Sequence, residues 1–220
     1  MKHSILQIGK SVLGQTIDCW EFNQEKSIER VLIVGGVHGD EVEGIQIANA
    51  LIKVLMLETG PHSYAILPCL NKDGETLSLR SNSNDVDLNR NLPTKNWIPI
   101  FTNPRYKPGP SAASEPETIA FLQVLNSFQP TIIISLHSYS DSLILYNPGI
   151  RKFDDSVHLL SERLNLKLVD KMPYEVVGSL HTYSKENAIT TLTIEAPRDQ
   201  SWLLKKDLFI HSLTQFITGV

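Results

Sequence analysis

Apolar and polar positions alternate over residues 4–8 and 16–22, around Gly9 and Gly14, and predict a hairpin at the start of the chain. Residues 30–34, with the apolar run Val31-Leu32-Ile33-Val34 rich in β-branched side chains, then read as a buried strand that breaks at Gly35-Gly36. From Glu41 to Glu58 the apolar positions Val42, Ile45, Ile47, Ala48, Leu51, Ile52, Leu55 and Met56 recur at helical spacing, and Gly60-Pro61 ends the run. Residues 63–67 predict a short strand. From 70 to 111 no period survives; the segment is rich in Asn, Pro, Gly and Ser, and loops of that length in compact domains are usually functional. Ser114-Glu115-Pro116-Glu117 opens the next predicted helix as a capping box, with Ser114 as N-cap and Pro130 closing it. Residues 131–136 form a second β-branched run that ends at His137, and 189–194 a third that ends at Glu195. Between them 143–146 reads as a strand and 153–164 as a helix, and 201–217 closes as an amphipathic helix. Strands alternating with helices predict an α/β fold: a three-layer α/β/α sandwich around a central mixed, mostly parallel twisted sheet.

Composition narrows the class. At 220 residues with no linker-like stretch, residues 1–220 read as one domain, and 41% hydrophobic residues supply a sizeable core. A net charge of -4 with scattered basic residues gives no footprint for nucleic acid or an anionic membrane surface. No run approaches the roughly 18 apolar residues of a membrane span, and the first nine residues lack the apolar core of a secretion signal. Cys19 and Cys69 form no CxxC and sit in apolar surroundings, which reads as buried free thiols in a reducing, cytoplasmic setting.

Three β-branched runs thus deliver His38 (with Glu41), His137 and Glu195 to the end of an α/β sheet where ligands bind. A catalytic zinc site typically takes three protein ligands and keeps one position open; His38, Glu41 and His137 supply that set, and Glu195 is left to act as a base. Asp40 and Glu43 compete with Glu41, whose i,i+3 spacing from His38 favours it. Arg80 and Arg90, in the irregular segment, carry planar permanent charges suited to a carboxylate or to a carbonyl developing negative charge.

These residues stand in an ordered set of motifs: HxxE at His38–Glu41, NxDG at Asn71–Gly74, Arg80, DLNRN at Asp87–Asn91, SLHSY at Ser135–Tyr139 and TIEAP at Thr193–Pro197. The chain therefore resembles the zinc metallocarboxypeptidases of the carboxypeptidase A type. The resemblance implies one zinc ion held by His38, Glu41 and His137, with Glu195 as general base and Arg80 polarising the scissile carbonyl. It places the substrate's terminal carboxylate on Asn89 and Arg90, and Asp87 behind His38 to orient it. Ser138 and Tyr174 are assigned to substrate binding; the family's mobile Tyr aligns at Pro173, one residue from Tyr174, with Tyr183 a rival. Leu180 falls where the family tunes side-chain specificity, beside His181. Lys72 stands where the family has Pro, and Asp85 where it has Gly.

Within the family the chain resembles the bacterial murein peptide amidases, through Gly35–Glu41, Val86–Pro93, Asn96-Trp97 and Ser114–Glu117. The implied reaction is removal of a C-terminal residue from a short peptide with a free carboxylate, a muropeptide, at its γ-D-glutamyl to meso-diaminopimelate bond. The alternative is an N-acyl amino acid deacylase of the succinylglutamate desuccinylase or aspartoacylase kind. Those chains carry a further β-rich domain, for which the residues after Glu195 offer one helix. A zinc-free peptide-binding module is the remaining reading, and the full set of ligand candidates with Glu195 argues against it.

Overall fold

The computed structural model describes residues 2–58, 60–150, 153–172, 174 and 176–219. Among them eight strands form one sheet in the order β1-β2-β4-β3-β5-β8-β6-β7. The predicted hairpin is β1 (Lys2–Lys10) paired antiparallel with β2 (Thr16–Asn23). The centre is parallel: β3 (Arg30–Val34) lies between β4 (Ser63–Leu67) and β5 (Ile132–Tyr139), and β8 (Thr190–Pro197) pairs with β5. On the far side β6 (Leu143–Asn147) runs antiparallel to β8 and parallel to the short β7 (Lys167–Val169).

The layering follows from the alternation along the central strands. Val31, Ile33, Tyr64, Ile66, Ile132 and Ile134 point into one core. There they meet apolar residues of α1 (Val42–Leu57), α4 (Asp154–Leu164) and α6 (Ser201–Gly219). Leu32, Val34, Ala65, Leu67 and Ile133 point into the other, against α3 (Pro116–Phe128) and Leu180 of α5 (Leu180–Glu186). A parallel strand buried on both faces reads as a continuous apolar run, which is why 30–34 and 131–136 were legible. Both cysteines are free and buried. No helix among the described residues is long and apolar enough to cross a membrane.

Three expectations are corrected. Residues 70–111 are not wholly irregular: Asn71 Oδ1 accepts from Gly74 N at 2.9 Å and opens α2 (Lys72–Leu77). The capping box at Ser114 does not form. Glu115 is the N-cap of α3 and makes no side-chain cap, while Glu117 turns away to accept from Val12 N at 3.1 Å and Asn82 Nδ2 at 3.0 Å. Finally, β5 and β8 run past His137 and Glu195, so these residues lie inside strands rather than at their ends.

Candidate active site

His38 and Glu41 come from the turn between β3 and α1. Gly36 has φ +57°, and a Cβ on it would stand 2.7 Å from Cys69 Sγ, so only glycine fits the turn that swings His38 over the sheet. Gly39 is tighter still: a Cβ there would fall 2.0 Å from the Gly74 carbonyl carbon, where the turn rests on α2. Glu41 occupies the N-cap position of α1 yet makes no cap hydrogen bond, because its carboxylate faces the histidines.

Glu41 Oε1 is 2.8 Å from His38 Nδ1, Glu41 Oε2 is 2.8 Å from His137 Nδ1, and the two Nδ1 atoms are 3.1 Å apart. The opposite ring nitrogens are engaged: His38 Nε2 meets Asp87 Oδ1 at 3.1 Å and His137 Nε2 meets Ser135 Oγ at 2.9 Å. With Nε2–H donated outward, both Nδ1 lone pairs and a carboxylate oxygen converge on one point. Three acceptors cannot satisfy one another, whereas a divalent cation satisfies all three, so the donor set fits a metal ion. His38, Glu41 and His137 are the group of ligand atoms, all within 4.8 Å of one another, that the structure brings together for such an ion. Asp40 and Glu43 take other work: Asp40 Oδ2 accepts from Arg198 Nη2 at 2.9 Å, and Glu43 Oε2 accepts from Ser138 Oγ at 2.7 Å.

The electrostatics match. Burial opposes charge on His38, but the Glu41 carboxylate beside it, aided by Asp87, carries its pKa above the usual value. Burial likewise opposes ionisation of Glu41, and His38 and His137 override it, holding the carboxyl well below the usual range. Asp87 is 0% exposed and also held low by His38 and Arg80.

Asp87 bridges two parts of the site. Its Oδ2 accepts from Arg80 Nε at 3.1 Å, and Arg80 Nη1 donates to Glu41 Oε1 at 3.1 Å. Asp87 Oδ1 also accepts from Asn89 N at 2.9 Å, capping the 3-10 turn Leu88–Arg90 that carries the next two candidates. Asn89 Oδ1 accepts from Leu180 N at 2.9 Å, which turns its amide NH2 away from α5. Arg90 Nη1 donates to the Asn89 carbonyl at 2.7 Å. The two family departures fit their places: Lys72 takes the first position of α2, where Pro is at home, and Asp85 has φ +58°, a conformation that Gly adopts freely and Asp tolerates.

His38, Glu41, Arg80, Asn89, Arg90, Ser138, Tyr174 and Glu195 all line one cavity of about 380 Å³. Glu195 sits in register with His137 across β5 and β8; burial raises its carboxyl pKa, Glu41 adds to this, and His137 opposes it. Ser138 donates its hydroxyl proton to Glu43, and its N–H reaches Glu41 Oε2 at 3.3 Å. Tyr174 is 57% exposed at the cavity wall, whereas Tyr183 packs against the core. The aligned Pro173 lies outside the described residues. Leu180 is 3% exposed and buried in the core, so its neighbours His181 and Thr182 face the cavity instead. Burial, with Lys185 nearby, pulls the His181 pKa down to about 4, so this ring is neutral at ordinary pH.

Sequence reasoning missed Ser135 and Tyr106. Ser135 was within reach: two residues before His137 on a strand is the same face. Tyr106 had no such signal; its ring lies 5.4 Å from Arg80 Cζ and 5.1 Å from Arg90 Cζ through tertiary folding alone.

A buried two-histidine, one-carboxylate cluster with a carboxylate and two arginines around it, set where the turn after β3 meets the last residues of β5 and β8, is the layout of a metal-dependent hydrolase. A family model described as zinc carboxypeptidase matches residues 2–205, and the chain belongs to that family of peptide-bond hydrolases. It is 31% identical over 205 residues to murein peptide amidase A of Vibrio campbellii, covering 86% of this chain and 77% of that one. To murein peptide amidase A of Escherichia coli K12 it is 30% identical over 200 residues, covering 86% and 79%. The crystal structure of murein-tripeptide amidase MpaA from Escherichia coli O157 superposes with a TM-score of 0.81 at 27% identity, covering 99% of this chain and 92% of that one. Carboxypeptidase A from Helicoverpa armigera shares the fold at 19% identity and a TM-score of 0.75, over 96% of this chain and 64% of that one.

Proposed function

We propose that the protein is a zinc-dependent amidase that removes the C-terminal residue of a short muropeptide by cleaving the γ-D-glutamyl to meso-diaminopimelate bond. The observation that carries this reading is the convergence of the His38 and His137 Nδ1 atoms on the Glu41 carboxylate, with His38 and Glu41 lining the same cavity as Arg80, Arg90 and Glu195. The relatives named murein peptide amidase A support the substrate. The two buried free thiols support a cytoplasmic setting, in which the reaction serves reuse of cell-wall peptides.

His38, Glu41 and His137 would hold one zinc, which when bound would supply a Lewis acid that acidifies water and polarises a carbonyl. Asp87 fixes the His38 tautomer and ring orientation. Arg90, with the Asn89 amide, clamps the free carboxylate of the leaving residue, and the charged fork of Arg90 suits that planar anion. Register with that clamp brings the scissile carbonyl oxygen to Arg80, which stabilises the charge it develops. Glu195 takes the proton from the attacking water and delivers it to the departing amine. Ser138 Oγ, its proton committed to Glu43, offers a lone pair to a substrate N–H, and Tyr174 closes on the bound peptide from the rim.

Incubation with L-Ala-γ-D-Glu-meso-diaminopimelate, beside ordinary C-terminal peptides and N-acyl amino acids, tests the reading. Release of free diaminopimelate is the expected outcome. Turnover of ordinary peptides or acyl amino acids with none of the tripeptide would overturn it.

A further inference from the structure

The two arginines raise a physical problem. Both are largely buried like charges in one cavity: burial lowers the proton affinity of Arg90, Asp87 offsets part of that, and Arg80 lowers it again. Arg80 is balanced by Asp87 and Glu41. Arg90 forms no salt bridge among the described residues, and a carboxylate partner would occupy the very donors a substrate carboxylate needs. An aromatic face solves this: it attracts a cation over its π surface and leaves the guanidinium N–H edge for other partners.

Tyr106 is placed to do so. It ends the 3-10 turn Pro104–Tyr106, which Asn103 Oδ1 caps by accepting from Arg105 N at 2.9 Å. The next residue ties it to the arginine-bearing segment, since Asp87 N donates to the Lys107 carbonyl at 2.9 Å. Its neighbour Arg105 reaches toward Asp40 at 3.8 Å. The ring is 40% exposed, lines the cavity, and has both guanidinium carbons within the roughly 6 Å range of a cation–π contact, at 5.4 and 5.1 Å.

We propose that Tyr106 is a positioning residue whose ring holds the Arg80 and Arg90 guanidinium groups at a fixed separation, coupling capture of the C-terminal carboxylate to stabilisation of the adjacent carbonyl. This rests on the roles assigned to those arginines above. The ring face acts, so the phenol oxygen is dispensable.

The test replaces Tyr106 with Phe, with Leu, and with phenylalanines bearing increasing numbers of fluorines, which keep the ring's size while draining its negative face. Measured for each are kcat and KM on free-acid and C-terminally amidated peptides, and the inhibition constant of the released amino acid. Tyr106→Phe is expected within about twofold of wild type. Tyr106→Leu is expected to lose at least about tenfold in kcat/KM on the free acid, to narrow the preference over the amide, and to weaken product inhibition. The fluorinated series falls stepwise, and it decides the question even if Tyr106→Leu does not fold. A wild type indifferent to the free carboxylate overturns the Arg90 reading and this proposal with it. A carboxylate-selective wild type with a flat fluorinated series overturns this proposal alone.

Discussion

His137 and Glu195 are register partners on the adjacent parallel strands β5 and β8. Partners in a parallel ladder project from the same face, so a candidate metal ligand and the candidate base are held side by side by backbone hydrogen bonds rather than by a loop. Glu195→Gln keeps the shape and removes the proton acceptor. We expect it to bind one zinc per chain with turnover reduced at least about a thousandfold, read from metal content and kcat. Unchanged kcat would mean that the base is misassigned.

Asp87 serves His38 and Arg80 at once, through Oδ1 and Oδ2. Asp87→Asn leaves an amide that cannot accept from both. Zinc affinity is expected to fall about 10- to 100-fold, with a further loss in kcat through the displaced Arg80. Titration calorimetry separates the two: equal affinity with lower kcat would assign Asp87 to Arg80 alone.

Protons compete with metal for His38 Nδ1. Glu41 and Asp87, outweighing burial, raise the His38 pKa above 6.5, so zinc affinity is expected to be full above that raised value and to decline as pH falls through it. The decline therefore begins at a higher pH than for an ordinary histidine. In the metal-free protein the sign reverses for stability. The raised pKa contributes stability that is fully present below 6.5 and is lost as pH rises through the raised value. Zinc affinity and metal-free Tm measured from about pH 5 to 8 report both; an onset of zinc loss below 6.5 would contradict the assignment.

Gly39→Ala would drive a Cβ into the Gly74 backbone, where no side chain is free to yield. About 3 kcal/mol of stability is expected to be lost, with zinc affinity, measured by urea unfolding and metal content. A variant as stable as wild type would show that the turn and α2 are not in contact.

What was legible from the sequence is what periodicity and rare residue types report. Val31–Val34 of β3 and Ile132–Ile134 of β5 are apolar runs, and the chain reaches His38 and His137 a few residues beyond them. Short elements were lost because their support is distant. β7 exists through pairing with β6, and α5 is about two turns whose N-cap, Ser179 accepting from Thr182 N at 3.1 Å, resembles any loop serine. The capping motif at Ser114 misled because a local pattern cannot show that Asn82 and Val12 compete for Glu117. Tyr106 was invisible for the same reason: its partners are 16 and 26 positions away in a segment without period.

The most direct test of the account is zinc titration into metal-free protein while release of diaminopimelate from the tripeptide is followed, with His38→Ala and His137→Ala alongside. Activity is predicted to rise linearly and to saturate at one zinc per chain in the wild type, and to stay near zero in both variants. Full activity in rigorously metal-free protein, or saturation at one zinc per chain in either variant, would contradict it.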